Sequence, residues 1–150
     1  ETANQEIFLL AFTKQTDYGL MALHYLATHF ENDNATNAKT IAQACALPSE
    51  LLAKTMQLLA KKGLVESKNG PKGGYVLAKE PDTITIAEVV RAIEGPIAIT
   101  SCQITNADDC EQYRNCSIFH PMGQLQGRIT ELLEGMTIFD MAGVPAGEIK

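Results

Sequence analysis

The sequence predicts a mainly α-helical fold with one small β-hairpin, and three observations carry that expectation. Residues 37–64 read as two short helices with capping residues at their starts and a tight turn between them. Residues 64–78 hold two short strands around a glycine-rich turn. Ile118, Met122, Leu125, Ile129, Leu132 and Met136 recur at alternating fours and threes, the seam of a helix that packs on another helix. A helix pair with a hairpin directly after it makes a winged helix-turn-helix. The seam adds a long C-terminal dimerisation helix. The expected organisation is an N-terminal extension over 1–12, the winged domain over 13–97, a cysteine loop over 98–117, and the dimerisation helix with its tail over 118–150.

Composition bounds the function. A chain of 150 residues, 45% of them hydrophobic, is long enough for one domain with a buried core. Four cysteines are too few for a disulfide scaffold of this length, and no secretory leader is read at the start, so a reducing cytoplasm is expected. The apolar run at 7–12 is far too short to span a bilayer, and no membrane partner is expected. The net charge of −6 looks wrong for a nucleic-acid binder, but its distribution matters more. Between Lys54 and Lys79 there are six lysines and one acid, whereas from Glu80 onward there are eleven acids and four bases. A basic stretch of that size can serve phosphate contact, although a solvated lysine face is its commoner use.

Taken in order, residues 13–30 form a first helix capped by Thr13 and apolar enough to be buried on most sides. Asp17 falls in its first turns, where the helix dipole favours an acid. A polar loop over 31–36 follows. Asn37 caps a short helix over 38–45, Leu47 anchors the turn, and Ser49 caps a second helix that runs to Lys62 and stops at Gly63. Leu52, Met56 and Leu59 share the core face of that helix. Ser49 opens it, and Glu50, Ala53, Lys54, Gln57 and Lys61 lie on the other side, a short-chained face that fits a DNA major groove. Cys45 reads as a small core hydrophobe. Strands over 64–67 and 75–78 flank a turn over 69–74, with Lys68, Lys72 and Gly73 at the tip. No Gly-Lys-Ser/Thr follows, which excludes a phosphate-loop reading of these glycines. Thr85 and Glu88 spell a capping box for a helix through Glu94 that Gly95 and Pro96 end. After the seam, residues 137–142 form one last turn and 144–150 a loose tail.

Cys102, Cys110 and Cys116 cluster in a stretch dominated by polar and charged residues. Such a stretch lacks the apolar surface to order itself, and a bound metal would supply the missing free energy. Three readings stand. The thiolates could hold an iron–sulfur cluster with one other ligand. Together with His120 they could form a Cys3His zinc site, at spacings resembling RNA-binding fingers. They could also be a disulfide or thiol switch. Asp108, Asp109 and Glu111 lie between the cysteines and would repel RNA phosphates, which sets zinc-dependent RNA binding well below the iron–sulfur reading. An enzyme is not expected, because Cys116 and His120 have no orienting third group or oxyanion site in the sequence.

The chain resembles the Rrf-two family of winged-helix transcription regulators, also called BadM/IscR-like. The resemblance runs from about Leu10 to Gly143. It is carried by Thr13-Lys14-Gln15-Thr16-Asp17-Tyr18, by Ile41-Ala42 and Gly63-Leu64-Val65, and by the wing Gly70-x-x-Gly73-Gly74-Tyr75-x-Leu77-Ala78. Ile93-Glu94-Gly95, the three-cysteine loop and Leu133-Glu134-Gly135-x-Thr137 complete it. It implies a homodimer that binds a double-stranded DNA operator, with an iron–sulfur cluster on Cys102, Cys110 and Cys116 controlling that binding. A 2Fe-2S cluster is the first choice and a 4Fe-4S cluster the second, in a repressor. The cysteine spacing and the segment from Glu131 to Met141 look most like regulators of SUF cluster assembly; nitric-oxide-sensing relatives and the regulator of the housekeeping cluster-assembly operon are the near alternatives. In the housekeeping type a His three positions after the last Cys completes the site, but here that position is Phe119 and His120 comes one later. Nitric-oxide-sensing relatives supply a carboxylate from the partner's first helix, and Asp17 matches that position. Asp17 is therefore the first choice for the fourth ligand and His120 the second.

Overall fold

The computed structural model describes residues 11–29, 34–100, 102 and 110–143. The parts of the expected N-terminal extension before residue 11, of the 31–36 loop before residue 34, and the 144–150 tail lie outside it. So do Phe30, the expected end of the first helix, and Asp108 and Asp109 of the cysteine stretch. The elements are α1 (Lys14–Thr28), α2 (Ala38–Cys45), α3 (Ser49–Lys61), β1 (Val65–Lys68), β2 (Gly74–Leu77), α4 (Ile86–Ile93), α5 (Phe119–Glu134) and α6 (Ile138–Ala142). The 3-10 turns Pro81–Thr83 and Tyr113–Asn115 come before α4 and α5. The fold is mainly helical with a two-stranded antiparallel wing, as the sequence pattern predicts.

α1 starts where Thr13 accepts from the Thr16 N–H. It is less buried than its composition suggests. Thr16, Gly19, Leu20, Ala22, Leu23 and Leu26 are buried, while Met21 faces solvent and Tyr18 and Tyr25 are half-buried. Gly19 lets α3 and α4 approach: a Cβ there would meet the Ile93 side chain at 2.6 Å and Thr55 at 3.3 Å.

Asn37 caps α2 by accepting from the Thr40 N–H at 2.8 Å. Ala46 then turns the chain in a left-handed conformation, with φ 55°. That region is costly for a side-chain-bearing residue and easy for glycine. Ala46→Gly is therefore expected to stabilise the chain by about 0.5–1 kcal/mol in a urea melt. An unchanged or lowered midpoint would show that the turn carries no such strain.

α3 is not capped by Ser49. Pro48 occupies the N-cap position without a side-chain bond, and Ser49 is the first helical residue. The fixed proline φ presets the entry, and the Pro48 carbonyl accepts the first helical bond from Leu52 at 3.0 Å. Gly63 ends the helix with φ 81°.

The wing strands lie about one residue from their expected places. Val65 pairs with Leu77 and Lys68 with Gly74. Thr36 adds a further rung, exchanging two backbone hydrogen bonds with Tyr75 at 3.0 and 2.8 Å. This rung is tight: a Cβ on Gly74 would fall 2.3 Å from the Thr36 carbonyl carbon and 2.5 Å from the Asn37 nitrogen.

The Thr85–Glu88 capping box forms by half. Thr85 accepts from the Glu88 N–H at 3.1 Å, but the Glu88 carboxylate is held by Lys79 at 3.0 Å. A full box forms instead at α6, between Thr137 and Asp140.

The core is built from Leu23, Ile41, Leu52, Met56, Leu59, Val65, Ile84, Val89 and Ile138. Ile138 is fully buried and α6 packs on α1, so the chain returns to the winged domain after α5. Ile86 N–H donates to the Met136 carbonyl and Ile138 N–H to the Ile84 carbonyl, both at 2.9 Å, pinning the end of α5 to the start of α4. α5 itself has no buried residue.

Candidate functional site

Two surfaces carry the candidate chemistry. The first is α3 with the wing. Glu50, Lys54, Gln57 and Lys61 form an exposed stripe along α3, with Ser49 exposed at its start and Ala53 half-buried beside it. Thr55, the buried polar residue of this helix, satisfies its hydroxyl on the Leu51 carbonyl at 2.7 Å. The core face opposite the stripe is therefore buried with its polar side chain satisfied. At the wing, Lys72 is exposed and Gly73 is half-buried under the Lys68 and Gly70 carbonyls. Lys68 pairs with Glu66 at 3.4 Å, both side chains more than half exposed. Such a pair is weak and exchanges readily for a phosphate.

The second surface holds the cysteines. No disulfide joins Cys45, Cys102, Cys110 or Cys116. Cys110 and Cys116 stand at the two ends of one compact turn. The Tyr113 N–H donates to the Cys110 carbonyl at 3.1 Å, and the Cys116 N–H to the Tyr113 carbonyl at 3.4 Å. Tyr113 meets Phe119 edge-on at 5.3 Å, and Phe119 meets His120 edge-on at 5.4 Å. This aromatic row fixes the turn to the start of α5 and leaves Cys110 exposed and Cys116 half-buried. Cys102 is half-buried, and its sulfur lies 3.1 Å from the Thr100 hydroxyl.

The donor chemistry suits a three-thiolate site: soft sulfur donors outside any disulfide, two of them held in one turn. Among the described residues, no three His, Cys, Asp or Glu side chains come together closely enough to hold a metal ion. Asp17 lines an open groove of about 700 Å³ along α1 with Met21, His24, Tyr25, Cys45 and Met141. Burial pushes the Cys45 thiol up, as expected for a thiol packed against the core. His120 is exposed in the first turn of α5.

The seam residues divide in two. Ile118, Leu125, Leu132 and Met136 are 54%, 44%, 74% and 51% exposed, whereas Met122 and Ile129 are half-buried against their own chain. Phe139, 60% exposed, stands on α6, beyond the non-helical stretch at 135–137. Ile118 and Met136, the two ends of the expected seam, lie outside α5, at its N-cap and two residues past its end. Glu94 and Gln126 are two functional residues that the sequence pattern does not reveal. Glu94 accepts from the Thr13 N–H at 3.2 Å and the Thr16 hydroxyl at 2.8 Å. Gln126 bonds the backbone of residues 97–99. Neither has a local signal, because the partners of both are remote in sequence.

The helix pair, its wing and the exposed stripe define a winged helix-turn-helix regulator. The profile of the Rrf2 family, described as an iron-dependent transcriptional regulator, matches residues 12–143, and the chain belongs to that family. It is 32% identical over 137 residues to a putative HTH-type transcriptional regulator of Aquifex aeolicus, covering 90% of this chain and 93% of the relative. Its fold matches CymR, the global cysteine regulator of B. subtilis, with TM-score 0.71 and 30% identity over 89% of this chain and 97% of that one. It also matches T. potens IscR with TM-score 0.66 and 28% identity, over 92% and 94% of the two chains. These similarities are to transcriptional regulators and not to enzymes. Among the described residues, no helix is long and apolar enough to cross a membrane.

Proposed function

We propose that this regulator is a homodimeric repressor whose operator binding is controlled by an iron–sulfur cluster on Cys102, Cys110 and Cys116. The observation that carries the reading is the set of three loop thiols, two of them held at the ends of one turn, in a chain of an iron-dependent regulator family. When bound, the cluster would supply a redox- and ligand-sensitive centre. The residues of the chain do the rest. Tyr113, Phe119 and the backbone of the turn orient Cys110 and Cys116, and Thr100 orients Cys102. Asp17 lines a groove along α1 whose lining includes none of these three cysteines, and it is the first choice for the fourth ligand, given to the partner's cluster across the dimer; His120, next to the turn, is the second choice. Genes for cluster assembly are the proposed targets.

The test is the ultraviolet–visible spectrum of anaerobically purified protein, with iron and sulfide counted. Charge-transfer bands with matching iron and sulfide support the reading. Zinc alone moves it to a Cys3His site. A colourless, metal-free protein that changes on thiol oxidation makes it a thiol switch. If the cluster is present but responds to nitric oxide and not to iron supply, the nitric-oxide-sensing alternative stands.

On DNA, the stripe of α3 enters a major groove, with Gln57 able to make a bidentate contact to adenine worth about 1–3 kcal/mol of discrimination. The wing lies along the neighbouring backbone. Lys72→Ala is expected to weaken binding to all sequences alike and to lower the slope of log affinity against log salt by about one. A loss confined to one base position would contradict the backbone role.

A further inference from the structure

Gln126 sits on α5 between the seam residues Leu125 and Ile129. Its side-chain oxygen accepts from the Ile99 N–H at 2.8 Å, and its side-chain nitrogen donates to the Ile97 carbonyl. One side chain thus clamps a backbone donor and a backbone acceptor two residues apart. A primary amide answers both with one planar group, whereas an ionised glutamate has no donor, and lysine and arginine have no acceptor. Asparagine has the right chemistry but is one methylene too short.

The clamped stretch runs straight into the cysteines. Thr100 follows it and lies 3.1 Å from the Cys102 sulfur. At its other end Glu94 holds Thr13 and Thr16, the latter one residue from Asp17. Residues 94–100 are therefore tied to the start of α1, to the middle of α5, and to the first cysteine. A half-open pocket of about 450 Å³ lies beside the stretch, between Phe12, Val90, Ile129 and Leu133. The far end of α5 is held separately, by the Met136–Ile138 rungs and by Arg91 with Glu134 at 2.9 Å.

We propose that Gln126 is a positioning residue that couples the state of the Cys102 site to the dimer helix. A change at Cys102 displaces residues 97–100, and the clamp carries the displacement to α5 beside Leu125. The coupling rests on the cluster reading above; the positioning of Cys102 does not.

The test compares the full-length wild type with Gln126→Leu, which removes both bonds, and Gln126→Glu, which is nearly isosteric and loses the donor. In metal-free protein, the rate of iodoacetamide labelling at each cysteine is mapped by mass spectrometry. Labelling of Cys102 is expected to quicken several-fold in Gln126→Leu while Cys45 is unchanged. In cluster-loaded protein, the ratio of operator affinity with and without the cluster is expected to collapse toward one, with iron and sulfide retained. Unchanged Cys102 labelling in both variants overturns the positioning role. Faster labelling with a wild-type affinity ratio overturns the coupling. Should the wild type take up no iron, the cluster reading falls on that result, and the labelling rate alone decides what Gln126 does. Should Gln126→Leu fail to fold, the same two readouts on Gln126→Glu decide.

Discussion

Gly74→Ala is expected to cost about 2–4 kcal/mol of stability and to weaken operator binding in proportion to the wing it displaces. Two effects add. Gly74 has φ 149°, a conformation that L side chains rarely adopt. The new Cβ would also strike backbone, at 2.3 Å from the Thr36 carbonyl carbon and 2.5 Å from the Asn37 nitrogen. Backbone cannot rotate aside as the tip of a side chain can. The wing would have to part from Thr36, losing the two bonds to Tyr75, each worth about 1 kcal/mol. Asn37 caps α2, so the shift would reach the helix pair itself. Gly70→Ala separates the two causes, because Gly70 has φ 104° but nothing within 4 Å of its Cβ position. It should cost about 1 kcal/mol, the strain alone. Equal losses in urea melts of the two variants would contradict the close approach at Thr36.

Leu125→Asp with Leu132→Asp is expected to give a folded monomer that no longer binds its operator. Both side chains stand exposed on α5, a helix of 16 residues none of which is buried. In a two-fold interface each substitution acts twice. Four apolar side chains at about 1.5–3 kcal/mol each amount to roughly 6–12 kcal/mol, enough to dissociate a standard dimer. Ile129 is left alone because it is half-buried against its own chain and lines the cavity beside residues 97–99. Sedimentation should show one chain, with circular dichroism unchanged. A double variant that stays dimeric would mean that α5 is not the interface.

Much of the fold was legible because its signals are local. Thr13 and Asn37 cap where their side chains reach an N–H three residues on, and the α5 seam shows in its spacing. The misses share a physical cause. Ser49 looks like a cap, but Pro48 already presets the helix entry. Glu88 looks like the second half of a capping box, but Lys79, nine residues away in sequence, takes its carboxylate. Ile138 reads only as part of one last helical turn, yet the pairing of residues 136–138 with 84–86 buries it in the core. In the candidate site, the thiols and the α3 stripe were legible from residue type and spacing. Glu94, Gln126 and the groove that holds Asp17 with Cys45 were not, because each is made by chain segments distant in sequence.

The central claim is that three loop cysteines carry the cluster that governs operator binding. It is tested most directly by operator affinity, measured anaerobically for loaded wild type, for the same protein after chelation, and for Cys110→Ala. Cys110 is the exposed member of the three and lies outside the core, so its removal leaves the fold intact. The expected result is that chelated wild type and Cys110→Ala bind alike, both lack the charge-transfer bands, and both differ from the loaded protein. A Cys110→Ala protein that keeps a full cluster, or a wild type whose affinity is unmoved by chelation, would contradict the account.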